Sequence, residues 1–322
     1  MKALITGGAG FIGLHLAKRL LSEGYQIDLL DNLSRGKLDD ELKKLLKTKK
    51  VNLIKVNLLD SNAIKNIDMD YDYIFHFAAI LGVKNVMDRP LEVLSNNTLL
   101  TINIVNLAKL QRSLKLFIYA STSEIYAGTL ENNLLKIPTP EKSIIVLPEI
   151  KNPRTSYMLS KIYGEAICQH ANIPFLIIRP HNVYGPRMGN AHVIPQLLEK
   201  AYNAKHNSNI EVYSANHSRT FCYISDAIDQ MYQLIINKKA VGATLNLGSQ
   251  NPEITIKNLS KKIINIVAKD LVIKTMPIME GSPHRRCPDM YISSKISGIE
   301  SKISLDIGLD LTYQWYLKHK FK

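Results

Sequence analysis

The first thirteen residues constrain this chain more than any other stretch of it. MKALITGGAGFIG sets an apolar run, KALIT, against glycines at positions 7, 10 and 13, and then opens an amphipathic segment from Phe11 to Glu23. A strand, a glycine turn and a helix in that order form an anion cradle. Gly7 permits the tight turn, Gly10 lets the backbone approach a pyrophosphate, and Gly13 lets the helix pack close to the strand, with Phe11 and Ile12 carried between them. The next apolar run, QIDLL, leads into Asp31, 18 residues after Gly13. A carboxylate at that strand end accepts both hydroxyl hydrogens of an adenosine ribose and repels a 2′-phosphate, which favours NAD over NADP. Asn32 follows it, and Arg35 in DNLSRG is the competing feature, since a guanidinium there suits a phosphate.

Beyond this turn, NLIKV, YIFHF, LKLFIYA and PFLIIRP read as further buried strands, separated by amphipathic segments such as Pro90–Leu110. Such alternation predicts an α/β fold, a Rossmann-type doubly wound parallel sheet with helices on both faces. After about Pro180 the rhythm changes. IEVYS, ATLNLG, EITI and LVIKT mix with helices around Ile194–Asn203, Ser225–Asn237 and Ile256–Ala268. We therefore expect a dinucleotide-binding domain over residues 1–180 and a smaller mixed α/β substrate lobe over 181–322 at the sheet's carboxyl edge, with some chain crossing between them. Residues 127–151, with three prolines, read as a long loop.

The formal charge is +13, and its densest part is the lysine run of DDELKKLLKTKK. Alternation with leucines is the pattern of a solvated helix face, and no aromatic residue is interleaved to stack on bases, so a field that attracts a small anion is a better use of the charge than nucleic acid. Cys168, Cys222 and Cys287 are widely spaced, without metal-ligand spacing, so free thiols and no metal are expected. No apolar run is long enough to cross a membrane, and Met1 leads directly into a strand without the apolar stretch of a signal peptide. The expectation is a cytoplasmic protein with no membrane partner.

Tyr157 and Lys161 stand four apart in SYMLSKIYGEA, on one helix face. A phenol is a poor base at neutral pH, but an ammonium one turn away, together with a positive nicotinamide ring, favours the phenolate. Such a tyrosine takes a proton from a hydroxyl while hydride leaves the same carbon.

TGGAGFIG, HFAA (76–79), STSEIY (121–126), YMLSK and RPHNVYGPR (179–187) follow one another in this order. With these motifs the chain resembles the NAD-dependent epimerase/dehydratase family, the extended short-chain dehydrogenases that act on nucleotide sugars, over nearly its whole length. The resemblance implies a catalytic triad of Thr122, Tyr157 and Lys161. It places Phe77, Ala78 and Ala79 along the cofactor with Asn97 nearby, and Asn57 with Leu58 at the adenine, where the family usually has an acidic residue. It implies substrate contacts from Asn182 and Arg187 in RPHNVYGPR, from Arg219 in SRTFCYISDA, and from Arg285 or Arg286 in GSPHRRCPD. Several arginines suit a substrate carrying a diphosphate. The family's usual homodimer would use Pro90–Leu110 and Ser156–His170.

The family's shared first step is oxidation of the sugar at C4. Simple 4-epimerases need no second acid or base, whereas 4,6-dehydratases carry one just after the catalytic threonine. Ser123 and Glu124 hold that place here and resemble the nucleoside-diphosphate-glucuronate decarboxylases, as does R-x-P-D at Arg286, Pro288 and Asp289. The reading favours decarboxylation, with 4,6-dehydration and 4-epimerisation as alternatives, and with Glu124 as a hydrogen-bonding turn residue as the structural one. A dinucleotide sensor without chemistry would typically lack the Tyr–Lys pair.

Overall fold

The computed structural model describes residues 1–279 and 281–321. Its frame is a seven-stranded sheet built from β1 (Lys2–Thr6), β2 (Gln26–Asp31), β3 (Val51–Lys55), β4 (Tyr73–His76), β5 (Leu116–Ala120), β6 (Phe175–Pro180) and β7 (Ala243–Leu247). The spatial order is β7-β6-β5-β4-β1-β2-β3, and every pairing is parallel. The strands are apolar throughout because both faces are covered. Successive residues of one strand enter opposite cores: Ala3 and Ile5 of β1 join one cluster and Leu4 the other.

On one face α1 (Phe11–Ser22) packs against the helix Ile224–Ile236. On the other, α2 (Pro90–Lys109) lies along α3 (Pro153–Gln169). Both α2 and α3 carry proline in the first turn, where the missing N–H costs nothing, and Asn152 caps α3 by accepting the Arg154 N–H at 3.0 Å. The lysine run forms the helix Asp40–Leu46 and its continuation; Leu42 and Leu45 are buried and the lysines exposed, as a solvated face requires.

The smaller lobe is assembled from short pairings. Ser218–Thr220 sits between Glu253–Thr255 and Arg285–Arg286, and Leu271–Thr275 pairs with Ser208–Val212. Two sequence expectations need correction. ATLNLG, assigned to the substrate lobe, is β7, the edge strand of the main sheet, bonded in parallel along β6. An apolar run cannot announce by itself which sheet it joins. The stretch 127–151 begins as a helix, Ala127–Glu131, and Thr139 forms a parallel bridge with Pro288, so the stretch is fastened to the segment that carries Arg286.

Candidate active site

The order of strand succession reverses between β1 and β4, and a cleft of about 920 Å³ opens at their carboxyl ends. Gly7 has φ +68, and a Cβ there would lie 3.0 Å from Ala78 N; on Gly13 it would lie 2.5 Å from Gly7 O. The turn thus has room for backbone alone. α1 starts with no side-chain cap and no acidic residue in its first turn, which leaves its positive end to an anion. These residues fit a dinucleotide pyrophosphate.

Asp31 is buried at the end of β2, and its oxygens accept the N–H groups of Ala9 at 3.1 Å and Leu33 at 2.8 Å. Burial raises its carboxyl pKa, opposed by those two bonds and by Arg187. Asp31 thereby braces the glycine turn from the place where a ribose would meet it. Asn32 and Arg35 line the cleft, and Arg35 lies within the electrostatic reach of Tyr157. Asn57 and Leu58 line it too; the Asn57 side chain accepts the Leu59 N–H at 3.1 Å. The amides of Phe77 and Ala78 both donate to Thr6 Oγ1 at 3.1 Å, and Ala79 follows along the wall. Asn97 does not line the cleft. Its side chain takes the Ile80 N–H at 2.7 Å and gives to the Ile80 carbonyl at 2.9 Å, so it supports the wall from behind.

Tyr157 and Lys161 face the end of β5 from α3. Lys161 Nζ donates to the Ala120 carbonyl at 2.7 Å, and burial pushes the ammonium down to about 8. The Tyr157 phenol is raised by burial and then by the charge of Glu124, and lowered by a hydrogen bond with Thr122 and by Arg35. Burial and Glu124 thus oppose the phenolate, which Lys161 was expected to favour only together with the charge of a nicotinamide ring. Thr122 caps the 3-10 turn Ser123–Tyr126 by accepting the Glu124 N–H at 3.2 Å, and Ser123 is buried behind it.

Glu124 reaches the second lobe, where its Oε1 accepts from Arg286 Nη2 at 2.7 Å. Burial raises its carboxyl pKa, but Arg286, Arg154 and Arg219 together outweigh burial and hold it below the usual range. Arg154 is a residue the sequence reading missed. It lines the cleft from the first turn of α3, three residues before Tyr157, and that spacing on one helix face was the available signal.

Strand alternation separates the two neighbouring arginines. Arg286 points inward to Glu124, while Arg285 points outward and forms a two-pronged pair with Glu253 at 2.7 Å on both arms. Arg285 is therefore not brought to the cleft. Arg219 is buried and donates to the Ser218 carbonyl and Ser282 Oγ, with no carboxylate partner among the described residues. Burial, then Arg286, pushes it down to about 9. Asn182, at φ +42, lines the cleft and donates to the Thr220 carbonyl at 2.9 Å. Arg187, expected at the substrate, is instead spent on the dinucleotide side. It donates to Asp39 at 2.7 Å, to the carbonyls of Ala9 and Gly10 at 2.8 Å each, and to that of Lys37 at 2.9 Å. A single guanidinium thus clasps the glycine turn to the second lobe.

A family model for the NAD dependent epimerase/dehydratase family matches residues 3–248. The chain belongs to the NAD-dependent epimerase/dehydratase family. Within this family, the UDP-N-acetyl-alpha-D-glucosaminuronate decarboxylase of Bacillus cytotoxicus is 31% identical over 98% of this chain and 97% of that protein. The dTDP-D-glucose 4,6-dehydratase of Dictyostelium discoideum is 33% identical over 82% of this chain, which spans 62% of that longer protein. Among solved structures, the UDP-glucose 4-epimerase of Thermotoga maritima with UDP-glucose superposes with a TM-score of 0.84 at 25% identity, covering 99% of both chains. The protein is thus an NAD-dependent enzyme of nucleotide sugars in the epimerase/dehydratase family. No helix among the described residues is long and apolar enough to cross a membrane.

Proposed function

We propose that this epimerase/dehydratase-family enzyme decarboxylates a nucleoside-diphosphate-linked hexuronate. The observation that carries the reading is the Glu124–Arg286 pair, 2.7 Å apart beside the Thr122–Tyr157 contact. The glycine turn, Asp31 and Lys161 would hold NAD, which when bound would supply the hydride acceptor. Tyr157, hydrogen-bonded to Thr122, takes the C4 hydroxyl proton as the C4–H bond breaks. The resulting C4 ketone is β to the C6 carboxylate. When the C5–C6 bond breaks, carbon dioxide leaves and the electron pair moves to the C4 oxygen as an enolate. A proton must then reach C5. Glu124, kept ionised by its arginines, relays this proton by taking one up from solvent and passing it to C5, with Ser123 behind it. Hydride would then return to C4 as Tyr157 gives its proton back to the C4 oxygen, leaving the dinucleotide oxidised as it began. Arg286 is the cation that meets the sugar carboxylate, in competition with Glu124.

Arg219, buried without an ion pair among the described residues, suits the substrate diphosphate, since an unpaired buried cation is costly until an anion arrives. Arg219 does not itself line the cleft; Asn182, which does, is bonded to the carbonyl of the adjoining Thr220. The substrate named for the Bacillus relative, UDP-N-acetylglucosaminuronate, and that named for a UDP-glucuronic acid decarboxylase of Danio rerio are the first compounds to test. The decisive experiment incubates the enzyme and NAD with a panel of nucleotide sugars and reads product mass. Loss of carbon dioxide supports the reading; loss of water or an unchanged mass assigns dehydration or epimerisation instead. We further propose a homodimer through α2 and α3, which leave Leu91, Leu99, Ile102 and Tyr163 exposed, and a reducing, cytoplasmic setting that suits three unpaired cysteines.

A further inference from the structure

Behind the cleft, α3 carries a third side chain in register with its catalytic pair. Glu165 lies one turn beyond Lys161, and it and Arg179 of β6 are both buried, each with 6% side-chain exposure. Arg179 Nε and Nη2 donate to the two oxygens of Glu165 at 2.9 and 2.7 Å. Each partner has one further arm. Ser121 Oγ donates to Glu165 Oε1 at 2.5 Å, and Arg179 Nη1 donates to the Tyr126 hydroxyl at 2.6 Å and to the Glu141 carbonyl at 2.8 Å.

Ser121 and Tyr126 bracket the short segment that holds Thr122 and Glu124. Ser121 adjoins Ala120, whose carbonyl takes Lys161, and Tyr126 closes the 3-10 turn. One ion pair therefore ties both ends of the segment to the helix that presents Tyr157 and Lys161. Stability alone is a poor reason for such a pair, because packed apolar residues of equal volume often do as well. A guanidinium–carboxylate fork adds direction, fixing both partners in a plane.

We propose that the Glu165–Arg179 pair is a positioning element whose two arms serve two different steps. The Ser121 arm sets Thr122 against Tyr157 for oxidation at C4. The Tyr126 arm sets Glu124 against Arg286 for the proton transfer that follows; this second half rests on the reading of Glu124 given above.

Ser121→Ala and Tyr126→Phe each remove one arm and leave the ion pair in place. Both are made in the full chain and compared with the unaltered enzyme by rapid mixing for reduced dinucleotide, by steady-state product formation, by NAD affinity and by thermal denaturation. The nucleotide sugar is whichever the unaltered enzyme oxidises. Ser121→Ala should slow reduced-dinucleotide formation roughly 10- to 100-fold, the scale of a small misplacement, with NAD affinity kept. Tyr126→Phe should form reduced dinucleotide at the normal rate but slow product formation by a similar factor, so that the reduced form accumulates. A purely structural role predicts otherwise: equal slowing of both steps in both variants, or losses that follow the melting temperature alone, would overturn the proposal. Failure of the decarboxylase reading shows separately, as a product from the unaltered enzyme that keeps all its carbon. The Ser121→Ala result then decides the proposal by itself.

Discussion

Replacing Glu124 by glutamine keeps the side chain's size and its bond to Arg286 while removing both the charge and the base. In the structure that carboxylate stands against Arg286 at 2.7 Å and in the field of Arg154 and Arg219, so the substitution acts in two opposite directions. A general acid–base group supplies about 10²–10⁴-fold in rate, which sets the expected fall in kcat for a step after C4 oxidation. Removing a negative charge beside an anionic substrate strengthens its attraction to the arginines by on the order of 1–2 kcal/mol at a protein's effective dielectric, a several-fold fall in KM. Hydride transfer should survive, because Tyr157 and Thr122 are untouched. Stopped-flow absorbance of reduced dinucleotide should therefore show a full burst that then persists, while product forms slowly. A normal overall rate would refute the argument and assign a simple epimerase. Loss of the burst would also refute it, and would mean that Glu124 only shapes the Thr122–Tyr157 contact.

Further outcomes follow from other parts of the site. Tyr157→Phe should retain NAD affinity by calorimetry and lose about 10²–10⁴-fold in turnover. Asp31→Ala should narrow the preference for NAD over NADP in paired binding titrations, and equal affinity of the unaltered enzyme for both would show that Arg35 governs the choice. Arg187→Lys cannot reproduce a four-acceptor clasp; with charged hydrogen bonds worth about 1.5–3 kcal/mol each, urea unfolding should show a loss of roughly 2–4 kcal/mol and NAD should bind more weakly. His76 and His181 are each pushed down to about 3 by burial, helped by Lys161 and by Arg286 respectively. Unfolded, each titrates near about 6.5, so the unfolded chain binds more protons in between. His15 and His192 are likewise pushed down to about 4 by burial. Stability present above pH 6.5 should thus be lost as pH falls, by up to about 1.4 kcal/mol per pH unit for each of the four, and His76→Gln should remove about a quarter of that slope in urea titrations at successive pH values.

The parts of the site set by local chain geometry were legible in the sequence. The glycine turn, Asp31 at the end of β2 and the Tyr157–Lys161 spacing all depend on neighbours within one strand–helix unit, and the structure places them along one cleft. The second lobe was legible only as a set of candidates. Arg285 and Arg286 are adjacent in the chain, and only the register of their strand against Ser218–Thr220 sends one inward and the other out to Glu253. Arg187 looked like a substrate arginine because its motif adjoins the substrate lobe, yet its partners Ala9, Gly10 and Asp39 lie far away in sequence. The burial and the Glu124 charge that oppose the phenol's ionisation were not legible, since they come from distant elements.

The late strand β7 has a consequence for how the protein is made and how it moves. The sheet is not complete until residue 247 has left the ribosome, after the excursion that begins at residue 181. Until then β6 offers an open, apolar edge, the kind of surface on which nascent chains pair with the wrong partner. A fragment ending at residue 180 should for that reason aggregate rather than fold as a free dinucleotide-binding unit. The same threading stitches the two lobes together by several passes of the backbone, so the floor of the cleft has no single hinge.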